Sequence, residues 1–230
     1  MSHFQRCAAR SWHDLHCERS SLEPAPATLA EMSSTGIVLA AGSSKRMGSP
    51  KQLLQVAGRP LLECVVAAAC GSRLDRVLVV LGASADRIQA EADLACAVVV
   101  LNPDYASGMA SSLRAGLRAL SPETDRAVVI LGDQPAVSST LLDELLELQA
   151  ASGLPAAALR FGSISHPPVV LARELWGGLM SLEGDVGCRA VVRARSELVA
   201  TMPAPEDGDH PLDVDTPEDY ARLLSGGHGP

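Results

Sequence analysis

The stretch GIVLAAGSSKRMGSPKQLL, residues 36–54, holds an apolar run, a basic turn with two glycines and the start of a second apolar run. An apolar run without strict alternation reads as a strand buried on both faces. Similar runs rich in Val, Leu and Ile follow at 76–81, 97–101 and 127–131. Between them the apolar spacing fits helices at 60–70, 85–91 and 109–120, with another at 138–150. The second half is less regular: strands are expected at 156–160, 169–172 and 197–201, and helices at 173–181, 188–195 and 217–224. This alternation predicts an α/β fold built on a single doubly wound, mostly parallel sheet.

Residues 1–33 mix Ser, Pro, Ala and scattered charge without an amphipathic period, and a disordered tail is expected there. Residues 34–230 are expected to form one domain, and Met32, just before the first strand, is an alternative translation start. With 47% apolar residues in 230, the chain can bury a substantial core. A formal charge of −8 argues against broad binding to nucleic acid or membrane surfaces. No apolar run is long enough to span a bilayer, and the charged N-terminus lacks a signal-peptide core. A cytoplasmic location with reduced thiols is the expectation. Cys64, Cys70 and Cys96 therefore read as small buried hydrophobes. Cys7, His13, His16 and Cys17 match no standard zinc spacing.

The turns that follow the first four apolar runs all lie where strands would end, and in open α/β sheets ligands bind outside the carboxyl ends of the strands. In the first of these turns, Gly42 and Gly48 suit a tight bend or a close backbone approach. Ser43 and Ser44 add hydroxyls, and Lys45, Arg46 and Lys51 add positive charge. No acid occurs between Met32 and Leu62, a stretch that also holds Arg59, so its local charge is +4. Lys45 and Lys51 are the only lysines in the chain, against seventeen arginines. A compact ammonium suits a phosphate oxygen as a point charge. The spacing is neither a Walker A loop nor a GxGxxG fingerprint.

Two acidic segments stand out. Asp133 follows the fourth apolar run in GDQP; an Asp there can cap the next helix, but Ser138 and Ser139 are better placed for that. In PLDVDTPEDY, Thr216 and Pro217 fit a helix start, with Glu218 and Asp219 favouring its positive end. Asp213 and Asp215 precede that start in an extended segment, and one of the two, Asp215 before Asp213, is expected to face the site. Carboxylates near phosphates suit Mg²⁺, so Asp133 and Asp215 are the candidate metal ligands.

LAAGSSKRMGSPK, GDQP and DVDTPEDY, taken in order, resemble the molybdenum cofactor nucleotidyltransferases, with the molybdopterin cytidylyltransferases most similar. The resemblance runs from about Gly36 to Leu224 and implies a Rossmann-like nucleotidyltransferase fold. The first motif alone is shared with enzymes acting on sugar phosphates and methylerythritol phosphate; GDQP, SHPPVV and GDVGCR narrow it. The resemblance implies that Leu39, Ala40, Ala41, Gly42, Ser43, Ser44, Ser112 and Gly132 bind CTP, with Ala41 matching the cytidine-using branch and Ser112 the serine that contacts cytosine. It implies that Arg46 and Lys51 hold the triphosphate and act in catalysis with Asp133. His166, Gly184, Asp185 and Gly187 would lie toward a molybdopterin-type phosphate acceptor, and a molybdenum hydroxylase would receive the product. Ser165 stands where the family usually has glycine, and Cys188 replaces a small alanine before Arg189; both departures fall on the acceptor side. Three other readings are a different nucleotidyltransferase acceptor, a non-catalytic cofactor carrier, and an oxidoreductase using the crevice for a dinucleotide.

Overall fold

The structure is a computed structural model and describes residues 32–44, 47–161, 164–204 and 213–225. The expected tail, apart from its last two residues, falls outside those residues, as do Lys45, Arg46 and the histidines and cysteines of the N-terminal segment.

Nine strands and seven α-helices are described, in the order β1 Ser34–Leu39, β2 Gln55–Val56, β3 Arg59–Pro60, α1 Leu61–Cys70, β4 Arg76–Leu81, α2 Ala85–Glu91, β5 Val98–Leu101, α3 Met109–Arg118, β6 Arg126–Leu131, α4 Ser139–Ser152, β7 Ala156–Phe161, β8 Ile164–Ala172, α5 Trp176–Met180, α6 Arg189–Ala194, β9 Val199–Pro203 and α7 Pro217–Leu224. Seven strands form one sheet in the order β5-β4-β1-β6-β8-β7-β9, while β2 and β3 make a small hairpin. β1 pairs in parallel with β4 and β6, and β8 is antiparallel to β6 and β7. The fold is the expected mostly parallel α/β sheet, with one reversed strand. β8 starts five residues before the expected strand, because its prolines, Pro167 and Pro168, weaken the sequence signal for a ladder.

The missing alternation has a direct explanation. Val38 and Ala40 point into one core, beside α1 and α4, while Ile37, Leu39 and Ala41 point into another, beside α3, α5 and α6. Along β6, Val128 and Ile130 enter the first core and Ala127 and Val129 the second. Each fully buried Val, Leu or Ile contributes about 1.5–3 kcal/mol relative to exposure, so a polar residue at any of these strand positions would weaken the sheet. The caps also follow the sequence: Ser138 accepts from Leu141 N, and Thr216 and Asp219 form a reciprocal capping box.

One expectation is corrected. Cys70 and Cys96 form a disulfide that joins the end of α1 to the turn before β5, whereas Cys64 and Cys188 are free. The two partners are 26 residues apart and meet only because both segments end at the amino-terminal edge of the sheet. No spacing rule in a single sequence reveals such a pairing. Burial pushes the Cys188 thiol up to about 12, in keeping with an inert core residue. Among the described residues, no helix is long and apolar enough to cross a membrane.

The position of α3 depends on Gly116, where an added Cβ would lie 2.5 Å from Cγ2 of Ile37 and 3.3 Å from Cγ2 of Val80. Both neighbours are β-branched core residues with little freedom to move. Gly116→Ala should therefore lower stability by about 1–3 kcal/mol through overpacking, despite alanine's higher helix propensity; equilibrium denaturation measures it, and a stabilised variant would contradict the close packing.

Candidate active site

β1 ends in the middle of the sheet, between β4 and β6, where the chain direction of strand addition reverses. That reversal opens a crevice at the carboxyl edge. The loop after β1 is fixed on both sides: Ala40 N donates to Val80 O, Ala83 N to Ala41 O, and Gly132 N to Leu39 O. Gln52 supports it from beneath. Its buried amide donates to Ala40 O at 2.9 Å and Gly42 O at 3.1 Å, and Oε1 accepts from Ser44 at 3.3 Å. Sequence reasoning missed Gln52; the only available signal was an amide between Lys51 and the apolar Leu53-Leu54 pair. Gly48 takes φ +68, as a tight turn requires. Gly42 does not: a Cβ there would meet nothing within 4 Å, and the residue borders open cavity.

The loop forms one wall of a cavity of about 960 Å³, a size suited to a small-molecule ligand. Leu39, Ala40, Ala41, Gly42, Ser43, Ser44, Lys51, Ser112, Gly132, Asp133 and Asp215 all line it, as do Asp185, Asp213, Met47, Gln52 and Tyr105. Of the residues expected on the acceptor side, Asp185 reaches the cavity. Gly184 accepts from Ala110 N at 3.1 Å, and Gly187 packs on Met109, so this segment braces the start of α3. His166 lies on β8 outside the cavity lining, where burial and the nearby Arg189 charge lower its pKa.

At the cavity floor Lys51 Nζ donates to Asp133 Oδ2 at 2.5 Å and to Asp215 Oδ1 at 2.7 Å. Residues 82 and 164 positions apart from Lys51 thus meet at one ammonium. Burial pulls the Lys51 pKa down, but the two carboxylates outweigh it and hold the group above its ordinary value. Burial pushes the Asp133 carboxyl up against the opposing pull of Lys51. Asp213 also faces the site and accepts from Gln134 Nε2 at 2.7 Å. The expectation that Asp213 and Asp215 point apart is corrected: residues two apart in an extended segment share a face. The residue between them, Val214, is fully buried in the core, and its N–H donates to Asp133 O at 3.0 Å.

These residues fit a divalent cation. Asp133 Oδ1 is buried and has no hydrogen-bond partner among the described residues, although a buried carboxylate oxygen ordinarily has one. Asp215 is half exposed. Among the described residues no group of three or more Asp, Glu, His or Cys side chains is arranged to hold a metal ion by itself, so Asp133 and Asp215 would supply only two ligands. That pattern suits a hard ion whose shell phosphate oxygens and water would complete.

Asn102 is buried beneath α3, and its amide donates to Ser111 Oγ and to Ser112 Oγ, the second of which lines the cavity.

Residues 36–199 match the MobA-like NTP transferase domain. The chain belongs to that family. It is a nucleotidyltransferase. It is 35% identical to nicotine blue oxidoreductase of Paenarthrobacter nicotinovorans, over 83% of this chain and 96% of that one. Identity to purine catabolism protein PucB of Bacillus subtilis is 30%, over 80% and 93% of the two chains. Among solved structures, Rv0371c of Mycobacterium tuberculosis superposes with a TM-score of 0.75 at 34% identity, over 84% of this chain and 98% of that one. The same protein has also been solved with manganese, matching at 32% identity, a TM-score of 0.73 and coverage of 84% and 99%.

The ion pairs make a pH-dependent prediction. Lys51→Met leaves Asp133 buried without its partner, at a cost of about 1–3 kcal/mol at pH 8. In that variant the Asp133 pKa lies further above its unfolded value. Protonation then stabilises the folded state at low pH, and that contribution is lost as pH rises through the folded pKa. The stability gap to wild type should therefore shrink between pH 8 and pH 5 in denaturation experiments; a gap independent of pH would contradict it.

Proposed function

We propose that the protein transfers the cytidylyl group of CTP to the phosphate of a molybdopterin-type acceptor, with release of pyrophosphate. The observation that carries this reading is the meeting of Lys51, Asp133 and Asp215 at the floor of a nucleotide-sized cavity in a MobA-like transferase. Ala41, which borders that cavity, is the residue expected of a cytidine user. The acceptor oxygen attacks the α-phosphorus, and the bond to the bridging oxygen of the β-phosphate breaks. A phosphate monoester is already largely ionised at neutral pH, with a second pKa of about 6. No general base is needed, and the task is to align two anions and offset their charge.

Asp133 and Asp215, with Asp213 beside them, would hold Mg²⁺, which when bound neutralises phosphate oxygens. The Lys51 ammonium supplies a second positive charge within reach of the same phosphates. The 40–44 loop offers backbone to the nucleotide, supported by Gln52. Arg46, expected on the triphosphate, lies outside the described residues. Asp185 and the segment around it border the cavity at α3 and suit the acceptor side. The manganese complex of Rv0371c supports a divalent ion. The name of the Bacillus subtilis relative, a purine catabolism protein, suits a supporting role beside a catabolic enzyme such as a molybdenum hydroxylase.

The name of the Paenarthrobacter relative favours a second reading, in which the crevice takes a nicotinamide dinucleotide. The absence of GxGxxG and the retention of Lys51 with its two carboxylates favour transfer. Incubation with Mg²⁺, each NTP and molybdopterin should yield the cytosine dinucleotide and pyrophosphate. Reduction of a dye by NAD(P)H without pyrophosphate release would reverse the choice. Lys51→Ala should slow turnover at least ~10²-fold, the size of effect seen on removing one preorganised charge donor, and a near-normal rate would refute its role. Asp133→Asn should abolish metal-dependent pyrophosphate release while circular dichroism stays native.

A further inference from the structure

The hydrogen-bond chain beneath α3 has a fixed polarity. Asp104 N–H can only donate, so the Asn102 atom it meets at 3.0 Å is the acceptor Oδ1. The other end of the amide is therefore the NH₂ group, and its two hydrogens go to Ser111 Oγ at 2.8 Å and Ser112 Oγ at 3.0 Å. Ser111 uses its own hydrogen on the carbonyls of Gly108 at 2.8 Å and Asp104 at 3.0 Å. Ser112 accepts from Asn102, donates to no protein acceptor among the described residues, and lines the cavity. All three side chains are 5% exposed or less, so water cannot easily rearrange the chain. A hydroxyl free to rotate would match either a donor or an acceptor. Here the amide occupies a lone pair and leaves the hydrogen for the ligand.

We propose that Asn102 is a positioning residue that fixes Ser112 as a hydrogen-bond donor toward the nucleotide base, so that the site selects a base edge offering an acceptor there. Cytosine presents N3 as an acceptor; uracil carries a hydrogen on N3 and meets the Ser112 hydroxyl donor to donor. This inference rests on the cytidylyl reading and adds to it how the base is told apart. The Lys51 cluster carries only charge and offers no hydrogen-bond pattern that separates one pyrimidine from another.

Asn102→Asp tests it. The carboxylate keeps the bond from Asp104 N–H but can only accept, so both serine hydroxyls turn inward and Ser112 presents lone pairs to the cavity. CTP and UTP affinities are measured calorimetrically with Mg²⁺ and without acceptor, and KM and kcat with acceptor. The wild type should favour CTP. Asn102→Asp should reduce the CTP-to-UTP preference roughly 10-fold or more, through KM rather than kcat. Ser112→Ala should also reduce the preference, and adding Asn102→Asp to it should cause no further change, a result that a merely structural role would not give. A preference that survives Asn102→Asp, or that shifts equally in the Ser112→Ala background, overturns the inference. If Asn102→Asp fails to fold, an undiminished preference in Ser112→Ala does so by itself. A wild type that binds CTP and UTP equally would overturn the cytidine reading, an outcome distinct from these.

Discussion

Parallel pairing of β1 between β4 and β6 is the constraint on which everything else depends. A parallel strand cannot be joined to its neighbour by a tight turn, so every connection must cross a face of the sheet. Helices then cover both faces, and the middle of each central strand, such as Ile37–Leu39 of β1 and Ala127–Ile130 of β6, is apolar on both sides. The same pairing sends the loops after β1, β4 and β6 out at one edge. Lys51, Gly132 and Asp133 are neighbours for that reason, with no attraction between them needed to explain it.

The remaining pieces are tied to this edge by specific contacts. Val214 buries its side chain and bonds to Asp133 O, which brings Asp213 and Asp215 up to the strand ends. α7 holds the segment in place through its Thr216–Asp219 cap and through the Tyr220 hydroxyl, which donates to Gln55 O at 2.7 Å. On the far side, Gly184 O receives Ala110 N, and Asp185 faces the first turn of α3. The helix that carries Ser112 is therefore set by Gly116 against the sheet and by the 184–187 segment at its amino end. The 40–44 loop, the Lys51 cluster and the start of α3 are three attachments to one sheet.

Much of this was legible in the sequence because it follows from local rules. The strand 76–81 and the helices 85–91 and 217–224 have the bounds that periodicity and capping predict. The charge segregation around Lys51 pointed to the cavity floor, and the strand-end position of Asp133 to its partner. What escaped was non-local. The β2–β3 hairpin is too short for any period to register, and β8 hides behind two prolines. Gln52 and Asn102 bond to atoms that only the folded chain brings near, and a buried amide looks like a surface one in sequence. The paired cysteines escaped for the same reason. The direction of Asp213 was a simple matter of counting residues along an extended segment.

The Lys51 cluster has an electrical consequence. Three carboxylates, Asp133, Asp213 and Asp215, against the Lys51 ammonium leave an excess of acidic groups at the cavity floor. A bare triphosphate approaching it is repelled, whereas one arriving with its own divalent ion brings most of the compensating charge.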